Sequence, residues 1–269
     1  MSIVNINDDS FSDDGTLDSA EALGIANQHI SEGADIIDIG AESARTNRGP
    51  ITEGEEIARL SSFLEKWQDL PTRPQIAINS WRPGVISAIL SRFTIDIVND
   101  ISGLPRSTNA ELAARHGARL VIMHSVGEPK VPHTHQLYDD VWATMLGFFN
   151  EKIALARSAG LKADDIILDP GIDFAKQRDD NLRIYKQLHR LTALGHQLLI
   201  PVSRKTVIGD VLGITDPKDR DAGTIACLAQ AHSSGRHIYR VHNTRAASTS
   251  LKVLDAAAPF ARTSSATNT

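Results

Sequence analysis

The chain has 269 residues, a hydrophobic content of 41% and a formal net charge of −5. That length suits one large domain or two small ones, and the acidic balance excludes general binding to nucleic acid or to anionic membrane surfaces. An anionic ligand must be captured by local cations instead.

Cys227 is the single cysteine, so no internal disulfide can form; this fits a reducing cytoplasm, and the residue is expected to be a small core side chain. No run reaches the length of a membrane span, and the amino terminus has neither the basic nor the apolar region of a signal peptide. Strand-like runs and amphipathic helical stretches then alternate from end to end. Ser2–Asn5 reads as a short strand and Asp18–Ser31 as its helix. Ala34–Gly40 is followed by Glu53–Trp67, Gln75–Ser80 by Pro83–Leu90, and Thr94–Asn99 by Asn109–His116. Arg119–His124 precedes a loop and the long helix Asp139–Ala159. Asp165–Asp169 leads to Asn181–Leu194, and Gln197–Ser203 to Thr206–Leu212 and Lys218–Ser234. His237–Val241 is closed by Arg245–Ala261.

Eight such units predict a single (β/α)8 TIM barrel over residues 1–262, with 263–269 as a small, polar, frayed tail. The strands are mostly continuous apolar runs, as burial of both faces requires. Doubly wound sheets share this alternation, and the count of eight favours the barrel.

In a barrel the carboxyl ends of the strands converge on one mouth. The run Ile200–Lys205 ends in Ser203, Arg204 and Lys205, which places a lysine where the backbone leaves the sheet. Taken in order, the ends offer Asn5, Glu42 to Arg45, Asn79, Asn99 with Asp100, His124, Asp169, Ser203 to Lys205, and Arg240 with His242. Asn5, Asn79, Asn99 and Asp169 supply donors and acceptors for a flat heterocycle with a patterned edge. Arg45, Lys205, Arg240 and His242 suit a phosphate or pyrophosphate. Both groups together read as a site for a heterocycle joined to a phosphorylated arm.

Plainer roles stand beside these. Taken singly, Asn99 and Asn243 are expected to cap the next helix. Asp38 is expected to make a structural hydrogen bond inside the sheet, and Arg204 a structural pairing behind it. His133 and His135 have metal-ligand spacing but sit in a polar loop without nearby carboxylates, and solvation is expected. Asp8, Asp9, Asp13 and Asp14 form an acidic cluster that suits a magnesium pyrophosphate or a solvated loop equally. No Gly-x-Gly-x-x-Gly or P-loop spacing occurs.

The strand ends resemble the dihydropteroate synthase family of pterin-binding barrels over nearly the whole chain. The resemblance is carried by Ile3–Asp13, by Ala34–Ser43 with Arg45, by Val98–Ile101, Val121–His124, Leu168–Gly171, Ser203–Lys205 and Arg240–His242. It implies transfer of 6-hydroxymethyl-7,8-dihydropterin from its pyrophosphate to p-aminobenzoate, giving dihydropteroate and pyrophosphate with Mg2+ as cofactor. By the same resemblance, Asp169, Asn99 and Asn79 would face the pterin, with Lys205 on its ring and Met123, Ile101 and Phe174 lining its slot. Asn5 would sit beside the metal, Arg45, Arg240 and His242 would grip phosphate oxygens, and Thr206 and Phe174 would lie near the aminobenzoate. Members of the family commonly dimerise, so a cytoplasmic homodimer is implied.

Several positions depart from the family pattern. Asn79 stands where an aspartate is usual, Ala44 and Thr46 where threonine and proline are usual, and Asp173 and Ala175 where glycines flank the phenylalanine. Asp14 replaces a glycine and Asn243 an aspartate. Two accounts follow: a working synthase with altered loops, or a pterin-binding paralogue with little synthase activity or another substrate. A Schiff-base aldolase built on Lys205 is a third possibility; it requires a drier pocket than these polar strand ends provide.

Overall fold

The computed structural model describes residues 1–7, 15–43, 49–131 and 135–257. Arg45, Ala44, Thr46, His133, the Asp8–Asp14 cluster and the expected tail 263–269 therefore lie outside the described residues. Within them, eight parallel strands lie side by side in chain order. They are β1 (Ser2–Asn5), β2 (Ile36–Gly40), β3 (Gln75–Asn79), β4 (Ile97–Asp100), β5 (Arg119–Met123), β6 (Ile166–Asp169), β7 (Gln197–Ile200) and β8 (Ile238–Tyr239). Ser2 also bridges Val241, so the sheet curls until its last strand meets its first.

The helices between them are α1 (Ser19–Ser31), α2 (Glu53–Gln68), α3 (Pro83–Leu90), α4 (Thr108–His116) and α5 (Val141–Ser158). After β6 come α6 (Arg178–Lys186) and α7 (His189–Thr192), after β7 α8 (Thr206–Leu212) and α9 (Asp221–His232), and after β8 α10 (Thr244–Ala257). Local chemistry sets many of their starts. Asp18 accepts from Ala20 N at 2.7 Å, Thr52 from Glu55 N at 3.2 Å, Asp140 from Trp142 N at 2.8 Å and Asn243 from Ala246 N at 3.0 Å. The cap expected of Asn243 is thus present.

Strand parity divides the sheet into two sides. Ile37, Ile39, Ile76 and Ile78 pack outward with Leu60, Phe63 and Leu64 of α2 and Val85, Ile86 and Ile89 of α3, all buried. On the concave side, Ile36, Ala77, Ile97, Val121, Ile167 and Leu199 form a separate apolar plug with Met1. Two residues further along, the inward positions turn polar: Asp38, Asn79, Asn99, Asp169 and, on the last strand's continuation, Arg240. The plug makes a dry floor, and the polar layer opens above it.

Several expected elements differ; the strand expected over Gln197–Ser203 ends at Ile200, and the one expected from Thr94 begins at Ile97. The helix predicted over Asn181–Leu194 breaks at Gln187, whose φ of −127° leaves the helical region, and both Leu188 and Leu191 are buried beyond the break. The helix predicted from Lys218 begins as a 3-10 turn over Pro217–Arg220, capped by Asp216. Arg220 is buried there and donates to Ile214 O at 3.1 Å, Thr215 O at 2.7 Å and Arg204 O at 3.1 Å, which fixes the bend. The last strand is shorter than expected, because only Ile238 and Tyr239 pair with β7.

Candidate functional site

A cavity of about 810 Å³ opens at the carboxyl ends of the strands. Its wall includes Asn5, Asn79, Asn99 and Asp169 from the amide and carboxylate set, and Lys205, Arg240 and His242 from the cationic set. Ile101, Met123 and Phe174 supply apolar surface, and Thr206 lies at the lip. The described residues that the resemblance assigns to ligand contact therefore meet at one cavity, whereas Asp100, His124 and Arg204 from the strand-end list do not line it.

Asp38 ties the two sets together. Its side chain is fully buried; Oδ2 accepts from Arg240 Nε at 2.7 Å and from Asn99 Nδ2 at 3.1 Å. The structural bond expected of Asp38 is real, but both partners belong to the site. Asn99 caps no helix, contrary to its expected role, because its inward position turns the amide toward Asp38. Ser203 does similar work for His242: its Oγ lies 2.8 Å from Nδ1 and accepts the His242 backbone N–H at 3.1 Å. One ring nitrogen is so occupied, and the imidazole orientation is set from β7.

The loop after β6 forms the second half of the site. Gly171 begins it at φ +64°, and a Cβ there would stand 2.0 Å from His124 O, so only glycine fits. Gly171 N donates to Asp169 at 2.7 Å. Burial pushes the Asp169 carboxyl up to about 6, against the pull of that hydrogen bond and of Lys205, Lys176 and Arg240. Lys205 Nζ donates to Ile172 O at 2.9 Å and stands 5.1 Å from the centre of the Phe174 ring. Burial lowers its pKa, and Asp173 and Asp169 oppose the shift.

Asp173, which stands where a glycine is usual, lines the cavity, and its carboxylate is engaged. It accepts from Thr206 N at 2.5 Å, Val207 N at 3.3 Å and Asn181 Nδ2 at 3.2 Å. Asp173 and Ala175 hold φ of +68° and +48°, a backbone that the usual glycines would adopt without strain. Lys176 was not among the expected site residues. It is buried, and its ammonium donates to His124 O at 3.1 Å, Gly171 O at 3.0 Å and Phe174 O at 3.0 Å. Burial brings its pKa down to about 7. A lysine inside a glycine-poor turn was the available signal, since three converging carbonyls need a three-donor partner.

At the far rim, Arg82 reaches Glu42 at 2.5 Å and also pairs with Glu56, while Lys130 donates to Glu42 at 2.9 Å. Glu42 is therefore spent on an ion network that joins the loops after β2 and β5. Burial raises the Glu56 pKa despite these partners. His124, expected at the mouth, is instead a core residue packed against Phe148 with ring centres 4.9 Å apart, and burial drops its pKa to about 3. Asp100 faces the other side of β4 and accepts from Asn109 Nδ2 at 2.8 Å and Ser102 N at 2.7 Å. Arg204 pairs with Asp221 at 2.8 Å behind the sheet, as expected. Cys227 is half-buried on α9, so the expectation of a core cysteine holds only in part.

Among the described residues, no group of three or more His, Cys, Asp or Glu side chains could hold a metal ion. Also among them, no helix is long and apolar enough to cross a membrane.

A polar cup above an apolar plug, lined by acidic, amide and cationic side chains together, defines a ligand-binding α/β enzyme of the kind that works at strand carboxyl ends. The chain belongs to the pterin binding enzyme family, whose profile matches residues 1–242. It is 37% identical over 261 residues to the dihydropteroate synthase of Synechocystis, covering 95% of this chain and 89% of that protein. The dihydropteroate synthase of Yersinia pestis, solved as a sulfonamide drug complex, superposes with a TM-score of 0.88 at 30% identity, covering 95% of this chain and 92% of that one. The enzyme of Thermus thermophilus, at 32% identity, matches with TM-scores of 0.82 in complex with 4-aminobenzoate and 0.80 in complex with 6HMPPP. These cover 96% of this chain and 93% and 92% of theirs.

Proposed function

We propose that the chain is a dihydropteroate synthase, a transferase that joins 6-hydroxymethyl-7,8-dihydropterin pyrophosphate to p-aminobenzoate. The observation that supports it best is the shared Asp38 carboxylate, which couples the heterocycle side of the cavity (Asn99) to its phosphate side (Arg240). The curled sheet is read as a closed (β/α)8 barrel forming one domain over 1–262, with 263–269 as a tail. A cytoplasmic homodimer completes the reading.

In this reaction the aromatic amine nitrogen forms a bond to the pterin methylene carbon. The carbon–oxygen bond to pyrophosphate breaks with its electron pair leaving on oxygen, and the amine loses one proton to solvent. Asp169 and Asn99 hold the pyrimidine edge, and Ile101, Met123 and Phe174 enclose the ring. Lys205 lies against the pterin, held ready by Ile172 O. Arg240 and His242, with Arg45, take the pyrophosphate oxygens, and charge-assisted contacts there favour its departure. The weak amine nucleophile needs placement more than a base, which the narrow lip at Phe174 and Thr206 provides.

Mg2+ fits as a partner of the pyrophosphate and not as a protein-caged ion. Magnesium is commonly held by one or two protein oxygens plus substrate phosphates and water, and Asn5, which lines the described wall, is the residue that would stand beside it. When bound, it offsets charge on the leaving group.

The test is direct. Purified protein incubated with the pterin pyrophosphate, p-aminobenzoate and Mg2+ yields dihydropteroate and pyrophosphate. A preparation that binds pterin but forms no product establishes the paralogue instead.

A further inference from the structure

We propose that Lys176 is a positioning residue for the pterin slot: its ammonium fixes the turn after β6 and supplies a counter-charge to the Asp169 carboxylate. The inference rests on the synthase reading, which sets Asp169 on the pterin edge and Phe174 against its ring.

Two lysines grip this turn by different carbonyls. Lys176 Nζ donates to Gly171 O and Phe174 O at 3.0 Å each, and to His124 O, just past β5, at 3.1 Å. Lys205 takes Ile172 O at 2.9 Å, and the Tyr138 hydroxyl takes Ala175 O at 2.8 Å. The peptide planes on both sides of Phe174 are thereby set, and with them the aromatic wall of the slot. Three acceptors converging on one buried point call for an ammonium, because no neutral side chain brings three donors to a single atom.

Gly171 links that ammonium to Asp169. Its N–H donates to Asp169 Oδ1 at 2.7 Å, and its carbonyl accepts from Lys176. Lys205 and Arg240 also face Asp169, but the synthase reading gives each a ligand of its own, the pterin ring and the pyrophosphate. Lys176 has no ligand to hold, so its charge acts on the turn and on Asp169.

The other charged groups around Lys176 are Asp173 on the turn, Asp180 on α6 and Lys205 after β7. Asp173 is occupied by Thr206 N, Val207 N and Asn181, and Asp180 by Gln177 N at 3.1 Å. His124 and Tyr138 stay neutral around pH 7, since burial takes the first down to about 3 and the second up to about 12. Burial likewise holds Tyr185 well above its ordinary value.

The experiment measures pterin pyrophosphate binding by calorimetry from pH 5 to 8, in unaltered protein and in Lys176→Met. Its readout is the ratio of the two Kd values at each pH, in which titration of the ligand itself cancels. Loss of the ammonium raises the Asp169 midpoint by about one unit, the scale of a single charge acting across a few ångströms of partly hydrated protein. The ratio is then about fivefold larger at pH 6 than at pH 8. A turn that had merely lost a strut would bind more weakly by the same factor at every pH. A second measurement needs no change at Lys176 and decides the matter if the variant does not fold. In protein labelled with carbon-13 at lysine Cε, the Lys176 signal, identified by its Overhauser contacts to Phe174, titrates near 7. That midpoint falls by about one unit in Asp169→Asn, because coupling between two charges is reciprocal. A ratio independent of pH, or a Lys176 midpoint unmoved by Asp169→Asn, overturns the proposal. Unaltered protein that binds no pterin pyrophosphate at any pH sinks the synthase reading itself, and the lysine titration then judges Lys176 alone.

Discussion

Asp38→Asn is the substitution that reaches both halves of the cavity. The Asp38 side chain is fully buried, while Arg240 keeps 22% of its side chain exposed. An amide of the same shape removes the charge-assisted part of the 2.7 Å contact to Arg240 Nε and offers a donor where Asn99 already brings one. A hydrogen bond to a charged group contributes about 1.5–3 kcal/mol. Because the arginine reaches solvent, the lower part of that range applies, about 1.5–2 kcal/mol. For a chain of this size that corresponds to a Tm lower by about 3–8 °C. If the loosened guanidinium is the one that takes the pyrophosphate, kcat/KM for the pterin substrate falls by about ten- to thirtyfold. Thermal melts followed by circular dichroism give the first number and steady-state kinetics the second. A double-mutant cycle with Arg240→Ala then shows a coupling of about 1–2 kcal/mol. An Asp38→Asn protein with unchanged Tm and full kcat/KM, or strict additivity in the cycle, would refute the coupling role.

Three further outcomes follow from the same geometry. Asn79→Asp restores a carboxylate opposite the carbon that becomes electron-poor, and turnover rises by about tenfold, at the low end of a charge-assisted contact because Asp38 and Asp169 are also acidic; an equal or lower kcat shows that the pterin does not lie against Asn79. Lys205→Ala removes the cation over Phe174 and abolishes pterin binding in calorimetry, and tight retained binding counts against the slot. The Asp169 carboxyl, held up at about 6 by burial, gives two pH effects of opposite sign. Pterin binding that uses its ionised oxygens weakens as pH falls through 6, by about tenfold at pH 5 relative to pH 7, and Asp169→Asn flattens that profile. Folding stability moves the other way: the raised carboxyl binds more protons in the folded state than in the unfolded one, so its contribution is present at low pH and is lost as pH rises between 3.8 and 6. A binding curve that is flat from pH 5 to 8 in the unaltered protein removes the assignment.

The order of elements was readable because both faces of a parallel strand are buried, and an apolar run of four or five residues then has one interpretation. Position at a strand's carboxyl end placed Asn79, Asn99 and Asp169 at the mouth, and the structure adds that each stands two residues beyond an inward apolar residue. Side-chain reach was not readable. His124 ends an apolar run as Asp169 does, yet it falls on the outward parity after Met123 and packs among aromatic rings. Parity would have excluded it; position at a strand end did not. The breaks at Gln187 and Pro217 were lost for another reason, since helical periodicity continues through a change of axis.

Asp38 is the instructive case, because the information was present and lay in a residue with almost no side chain. A carboxylate at an inward position of a buried strand requires a donor within reach. Its register neighbour on β3 is Ala77, and Asn79 pairs with Asn99 across the next step. A larger residue at 77 would fill the space beside Asp38; alanine leaves it open, so the carboxylate crosses β3 to the Asn99 amide and turns back to Arg240, 202 positions away in the chain. The small residue in the third strand is what permits one anion to serve two ligand-facing groups. Ala77→Val is accordingly expected to weaken pterin and pyrophosphate contacts together, and a variant that lost only one of them would show that Asn99 and Arg240 are held independently.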